Sequence, residues 1–402
     1  MSFHAYGPSG DDLALLDDLR RGDDHPQGPD EPFWRAPYSF LWSALYCGGN
    51  LTPATVEGVR YLVRTIGEPE FGGEDPTLRS GAIWFLREVA REVLAGIDRA
   101  TASRRDAPDV REWLTRYLRE RRFVLDWTNA DAPGEVLLAA ARVDCFDLLP
   151  EVYATIEPLL SARVPALRGC AALTAATLSG HPDLVVHRPR LLAYHLAECA
   201  SADAHHRASM LLGAGELGGA PRAWLRDPHP GVRVCAALAP ACADDPEANT
   251  VLLAEASRNP AVIGMQGFEG MMGLSALPYP EAALAERLCA AVRDVDRLLP
   301  AAILAVPSDP TYLDVGEQRR AFGALAEPYL RVVFPDGLPS PAAVTPVQRR
   351  LAEMVARHAP FRQSDIRALS SLGSHLEAWD GTFSRLGLPN DRSSWQAVAG
   401  VA

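Results

Sequence analysis

The densest concentration of side chains that could do chemistry runs from Arg99 to Arg122. Eight arginines (99, 104, 105, 111, 116, 119, 121 and 122) stand there against Asp106, Asp109, Glu112 and Glu120, and Trp113 and Tyr117 lie one helical turn apart. A cationic helix carrying aromatics can contact phosphates or stack bases, and it can equally contact a protein partner, for which Arg111, Trp113, Arg116, Arg119 and Arg122 are the candidate residues. The plainer reading is preferred: an Arg-rich solvated face, with Trp113, Leu114 and Tyr117 packed inward and Glu112 pairing with Arg116 at i,i+4.

Other combinations carry weaker signals. Six histidines fall between His181 and His229, but a metal site needs three or four converging ligands, and helical sites favour i,i+3 or i,i+4 spacing. His205 and His206 are adjacent and point about 100° apart on a helix, no H-E-x-x-H occurs, and solvated or capping histidines are expected. Gly213, Gly215 and Gly218 spell G-x-G-x-x-G after a helical run and not after a strand, which reads as a loop between helices and not as a dinucleotide site. All 39 basic residues are arginine. Without lysine there is no Schiff-base, P-loop or kinase-type lysine, so pyridoxal-phosphate enzymes, Walker-type NTPases and ordinary protein kinases are excluded. The seven cysteines form no C-x-x-C pair and several sit in Ala/Leu runs, as buried apolar residues of a reducing compartment do. Neither a cofactor nor a metal is called for.

The elements that must position these residues are helical. Ala and Leu dominate, β-branched residues are sparse, and strand-period alternation is missing across 402 residues. Net charge is −12, the wrong sign for a general nucleic-acid binder. No basic n-region with an apolar h-region opens the sequence, and no apolar run reaches the roughly 18 residues that span a membrane, so a cytoplasmic location without membrane insertion is expected. Residues 1–32 are polar and acidic, with one short amphipathic helix over DDLALLDDLRR, and read as a partly flexible solubilising segment. Residues 38–47 form an apolar helix. After Gly48-Gly49-Asn50, Thr52 caps a second helix with Pro53 at its first position, and a third helix follows a loop rich in Gly and acid.

One local pattern recurs: an apolar residue, then Arg, then small residues and Leu. It centres on Arg79, Arg168, Arg207 and Arg233, with gaps of 89, 39 and 26 residues. The first gap is about two periods, and the second about one, of a ~40–47-residue helical repeat. Val232 points inward, Ala236 and Ala237 let a neighbouring helix approach, and the Arg233 head reaches carbonyls or acids at the adjoining turn.

The run Asp227-Pro228, Val232-Arg233, Ala236-Ala237-Leu238 resembles the HEAT-repeat signature. With residues 41–63, 344–358 and 379–392 it resembles HEAT-repeat proteins of actinobacterial type over roughly residues 38–395. The resemblance implies an all-α fold, an α-solenoid of HEAT-like helix pairs over 33–335 with a small helical C-terminal cap over 336–402. It implies a non-enzymatic scaffold that binds a protein or peptide partner on a curved surface. HEAT-like DNA glycosylases supply a nucleic-acid alternative, in which Trp113, Trp127 and Asp126 would be examined beside the Arg99–Arg122 region. HEAT-like bilin lyases or biosynthetic accessory enzymes supply a second alternative.

Overall fold

The structure, a computed structural model, describes residues 3–25, 32–47, 49–120, 132–200, 203–257, 280–292, 294–305, 326–359 and 381–401. These are mostly helical, with two-residue antiparallel ribbons as the only strands among them. Contacts divide the chain into two units, Met1–Glu198 and Cys199–Ala402, a division that composition does not suggest.

The first unit begins with β1 (Phe3–His4) paired with β2 (Gly7–Pro8), a 3₁₀ turn and α1 (Leu15–Arg21). The acidic segment is therefore folded over its described residues, and not a solvated tail. Phe3, Ala5, Leu16 and Leu19 are fully buried, while the acids between them, Asp11, Asp12, Asp17 and Asp18, stay at least partly exposed. α2 (Pro37–Ser39) runs into a π-helical turn, Phe40–Leu45, and then into the ribbon of β3 (Tyr46–Cys47) and β4 (Asn50–Leu51). The single apolar helix expected over 38–47 thus changes its winding midway. α3 (Pro53–Thr65) starts as its sequence predicts: Thr52 is the N-cap and its N–H donates to Thr55 Oγ1 at 2.8 Å.

The Gly- and acid-rich loop that follows is not slack. Gly72 N–H donates to the Arg20 carbonyl at 2.8 Å, and Arg20 pairs with Glu68 at 2.9 Å. Gly22 ends α1 at φ +85°, and a Cβ there would lie 2.7 Å from the Gly72 carbonyl oxygen. The loop clasps the end of α1 by backbone-to-backbone contact that only glycine permits.

α4 (Pro76–Ala95), α5 (Arg99–Ala102), α6 (Pro108–Glu120), α7 (Ala132–Asp147), α8 (Leu149–Ile156), α9 (Pro165–Leu178) and α10 (Arg188–Cys199) complete the first unit up to its boundary. α4 lies directly on α9. Cys170 Sγ is 3.3 Å from the Ser80 carbonyl, and Arg87, 1% exposed, donates from Nε to Thr177 Oγ1 at 2.9 Å. The 89 residues between Arg79 and Arg168 therefore contain an excursion, α5 to α7, in place of the intervening repeat that their spacing suggests.

In the second unit α11 (Ala204–Glu216), α12 (Pro230–Ala237), α13 (Pro246–Ala256), α14 (Pro280–Ala291) and α15 (Val295–Ala305) pack largely on their sequence neighbours. They are followed by α16 (helical residues 326–333), α17 (Pro346–His358), α18 (helical residues 381–386) and α19 (Arg392–Ala399). α17 and α19 pack together. Trp395 is fully buried between Phe334 and Phe383 at ring distances of 5.4 and 5.5 Å, and its Nε1–H donates to the Pro389 carbonyl at 2.9 Å. Gly213 to Glu216 are helical residues of α11, which corrects the loop reading of G-x-G-x-x-G. Gly215 lets Ala239 approach, since a Cβ would sit 3.1 Å from its Cα, and Gly218 ends the helix at φ +87°.

The recurring arginines explain how the helix ends are satisfied. Arg79, Arg168 and Arg233 are each the fourth residue of a helix that opens with proline, and each reaches back. Arg79 Nε donates to the Ile66 carbonyl at 2.9 Å, and Arg168 Nη1 to that of Ala162 at 3.0 Å. Arg233 Nη1 donates to Asp227 and Pro228 carbonyls at 2.8 and 3.0 Å, while its other nitrogen bonds Glu255. Arg207, also fourth in its helix, pairs with the Asp227 carboxylate at 3.0 Å. Arg287, which the sequence pattern misses because it lies deeper in α14, takes the carbonyls of Cys242 and Ala243.

Two outcomes follow. Arg233→Met keeps the stem and removes the donors to the Asp227 and Pro228 carbonyls and to Glu255; it should lower unfolding free energy by about 1–3 kcal/mol. Gly22→Ala should cost a similar ~1–3 kcal/mol through a strained φ and the clash with the 67–75 loop. Urea unfolding of each variant measures both.

Candidate interaction surface

The Arg99–Arg122 stretch divides into two halves with different tasks. Arg99 pairs with Asp147 at 2.7 Å and lies over Phe146, Arg105 pairs with Asp144 at 2.8 Å, and Arg104 pairs with Asp109 at 3.1 Å. Those pairs tie α5 and the turn after it to α7 and to α6. The other half lies on α6. Val110, Trp113 and Tyr117 are buried in one cluster with Phe3, Ala5 and Val136 to Leu138. Trp113 stacks on Tyr117 at 5.2 Å and 5°, and Phe3 meets Tyr117 edge-on at 5.6 Å.

Trp113 is therefore core, at 6% exposure, and drops out of the partner-binding set, because the stripe it shares with Val110 and Tyr117 needs a hydrophobic neighbour. Arg111, Arg116 and Arg119 face outward and are exposed. Among the described residues their side chains form no ion pair, and the Glu112–Arg116 pair expected at i,i+4 is not made. Arg122, Asp126 and Trp127 lie outside the described residues.

Beside this helix the structure assembles an aromatic ledge that the sequence reading missed. Tyr6, in the turn between β1 and β2, packs against the Trp113–Tyr117 cluster. It stacks on Trp34 at 4.9 Å and 7° and meets Phe33 edge-on at 6.3 Å. Phe33 is 66% exposed. Beneath the ledge His4 is buried. Its Nδ1 accepts the Tyr6 N–H at 3.1 Å, so Nε2–H is the donor to Asp12 at 3.0 Å, and Asp12 also holds Arg35 at 3.1 Å. Arg35 sits 5.9 Å over the Trp34 ring. The only sequence signal was Phe33-Trp34-Arg35 itself, placed directly after an acidic stretch.

No family model, curated protein or solved structure matches the chain.

The strongest acid–base arrangement is on α4, where Glu88 and Glu92 lie one turn apart. Burial pushes Glu88 above the usual carboxylate range, with Arg91 and Arg87 pulling it back. Glu92 accepts from Tyr46 Oη at 3.0 Å and from Arg142 at 3.0 Å. Burial, then Glu92, raises the Tyr46 phenol above its ordinary value. Both Glu92 oxygens are engaged, so the group joins α4, α7 and the β3–β4 ribbon as a structural link.

The histidines do not converge. His181 accepts from the Asp183 N–H at 3.2 Å as a cap; His195 is buried, not solvated, with Nε2 3.1 Å from the Ala172 carbonyl. Among the described residues no group of three or more His, Cys, Asp or Glu could hold a metal, and no helix is long and apolar enough to cross a membrane.

All seven cysteines are free thiols. Burial pushes Cys170 up to about 12 from 9.0 and raises Cys145 and Cys235 as well, so thiolates are scarce at neutral pH. Native protein should leave these three unlabelled by a thiol reagent at neutral pH, whereas denatured protein should titrate all seven. Because the Cys170 value is raised on folding, its stabilising contribution is complete below 9 and is lost as pH rises through about 12. Chemical-denaturation midpoints measured across that window should fall.

Proposed function

We propose that the chain is a non-enzymatic scaffold of HEAT-like stacked helix pairs that binds a protein or peptide partner. The stacking is supported by α4 and α8 both lying on α9, by the sequential packing of α11 to α13, and by the reach-back arginines shared by helices in both units. Such stacks commonly serve binding. The observation that carries the binding reading is the α6 face. Arg111, Arg116 and Arg119 are exposed and pair with no acid among the described residues, whereas Arg99, Arg104 and Arg105 are each committed to a carboxylate. Arginine is the cation most enriched at protein contacts. The same three residues keep nucleic acid as the second reading, set against the −12 charge.

Neutralising the three arginines together, as Gln, should change unfolding free energy by only ~0.5 kcal/mol or less, as exposed charges do. Labelled single-stranded and duplex DNA, titrated by fluorescence anisotropy at two salt concentrations, should show no arginine-dependent binding. Binding that falls steeply with salt and vanishes in the triple variant would replace the scaffold reading with the nucleic-acid one.

A further inference from the structure

We infer that the outward arginine face of α6 takes a second copy of this chain, and that the part it takes is the acidic clasp formed by the end of α1 and the loop over residues 67–75. This rests on the scaffold reading above and names its partner.

Arg111, Arg116 and Arg119 are exposed and form no ion pair among the described residues. They lie within about 12 Å along the helix axis, close to the ~8–10 Å over which charges act in physiological salt, so an approaching surface meets them together. Glu112 stands between them and is exposed too, and the face stays cationic with it.

The clasp carries the opposite charge and belongs to the same unit. Residues 17–24 and 68–75 hold eight acids against Arg20 and Arg21. Backbone contacts bring the two segments to one surface: Gly72 N–H donates to the Arg20 carbonyl at 2.8 Å, and a Cβ on Gly73 would lie 2.7 Å from the Arg21 carbonyl oxygen. Both arginines are taken up inside the clasp, Arg20 by Glu68 at 2.9 Å and Arg21 by Asp18. Glu70 and Glu74 are exposed and form no ion pair among the described residues. Because the two segments are locked together, these carboxylates are presented from fixed backbone and lose less freedom on contact than those of a loose tail.

The chain therefore carries both halves of a charge match and does not close it within itself, since no arginine of the α6 face pairs with a clasp acid among the described residues. Copies of a chain of net charge −12 repel one another at long range. Salt of about 0.1 M confines that repulsion to about 10 Å, and at contact the local signs decide. Guanidinium forks hold carboxylates through two parallel N–H donors. An exposed pair contributes little alone, so the association is weak, steep in salt and dependent on both surfaces. A nucleic-acid strand would use the arginines and be indifferent to Glu70 and Glu74, which separates the two occupants.

Sedimentation velocity on the full chain, over a concentration series, tests this at about 0.1 M and about 1 M salt, where charges act over about 10 and about 3 Å. The wild type should associate with rising concentration at the lower salt and be monomeric at the higher. Arg111→Glu, Arg116→Glu and Arg119→Glu combined should be monomeric at both, and so should Glu70→Arg with Glu74→Arg, each with unchanged circular dichroism. An equimolar mixture of these two variants should associate again, because each reversed surface meets its reversed counterpart. Glu70 lies close enough to Arg79 for its charge to be felt, so Glu74→Arg alone serves as a second acid variant and should weaken association several-fold. A wild type that stays monomeric at the lower salt, association that survives either reversal or the higher salt, or a mixture that stays monomeric overturns the inference. A monomeric wild type that binds labelled polyglutamate through the three arginines overturns it while leaving a protein-binding scaffold in place. Arginine-dependent DNA binding without association removes both readings.

Discussion

Every helix leaves its last carbonyls without intrahelical partners, and a chain built from many short helices multiplies that cost. Here arginines answer it. Arg79, Arg168 and Arg233, each fourth in its helix, reach back to the carbonyls that end the preceding segment, and Arg287, deeper in α14, takes the Cys242 and Ala243 carbonyls that lie before α13. A cation near a helix N-terminus is unfavourable to the dipole, so the reach-back geometry is what makes these positions tenable. The reach also ties the start of one helix to the end of the segment before it. Small residues such as Gly215, Ser80 and Cys170 bring backbones close.

The absence of lysine sharpens this division of labour. A planar guanidinium presents several donors at once and stays charged when partly desolvated, which suits Arg233 serving two carbonyls and a carboxylate together, and suits Arg87 lying almost wholly inside the α4–α9 contact. The same residue type is left outward on α6. Paired and outward-facing arginines thus differ in their neighbours, and not in their chemistry. Arg105 faces Asp144 across α7, while Arg119 faces solvent.

The acidic N-terminal segment shows how a core can hide inside a polar composition. Phe3, Ala5, Leu16 and Leu19 are buried between acids, and Asp12 is held by His4 and Arg35 beneath the aromatic ledge. This segment supplies Phe3 to the cluster that supports α6 and Tyr6 to the surface beside it. The ledge and the arginine face therefore depend on the first residues of the chain folding onto a helix about a hundred positions later.

Several features were legible in the sequence because they are set by neighbours within a few residues. Thr52-Pro53 and Thr345-Pro346 open helices through capping side chains three residues away. The 3.6-residue stripe of Val110, Trp113 and Tyr117 turns those groups inward and the arginines outward. The role of Arg233 follows from the Asp-Pro turn just before it. What depended on distant partners was not legible. Acidic composition obscured the folded N-terminus, because burial of Phe3 is decided by Tyr117. Repeat spacing between Arg79 and Arg168 misled, because an excursion and an intervening repeat can have the same length and only the α4–α9 contact tells them apart. The Phe33 ledge arose from rings brought together by β1–β2 and the segment before α2. Local rules act through bonds and turns that a sequence displays, whereas which surfaces meet, and which arginines meet a described acid, is decided by long-range packing that spacing does not encode.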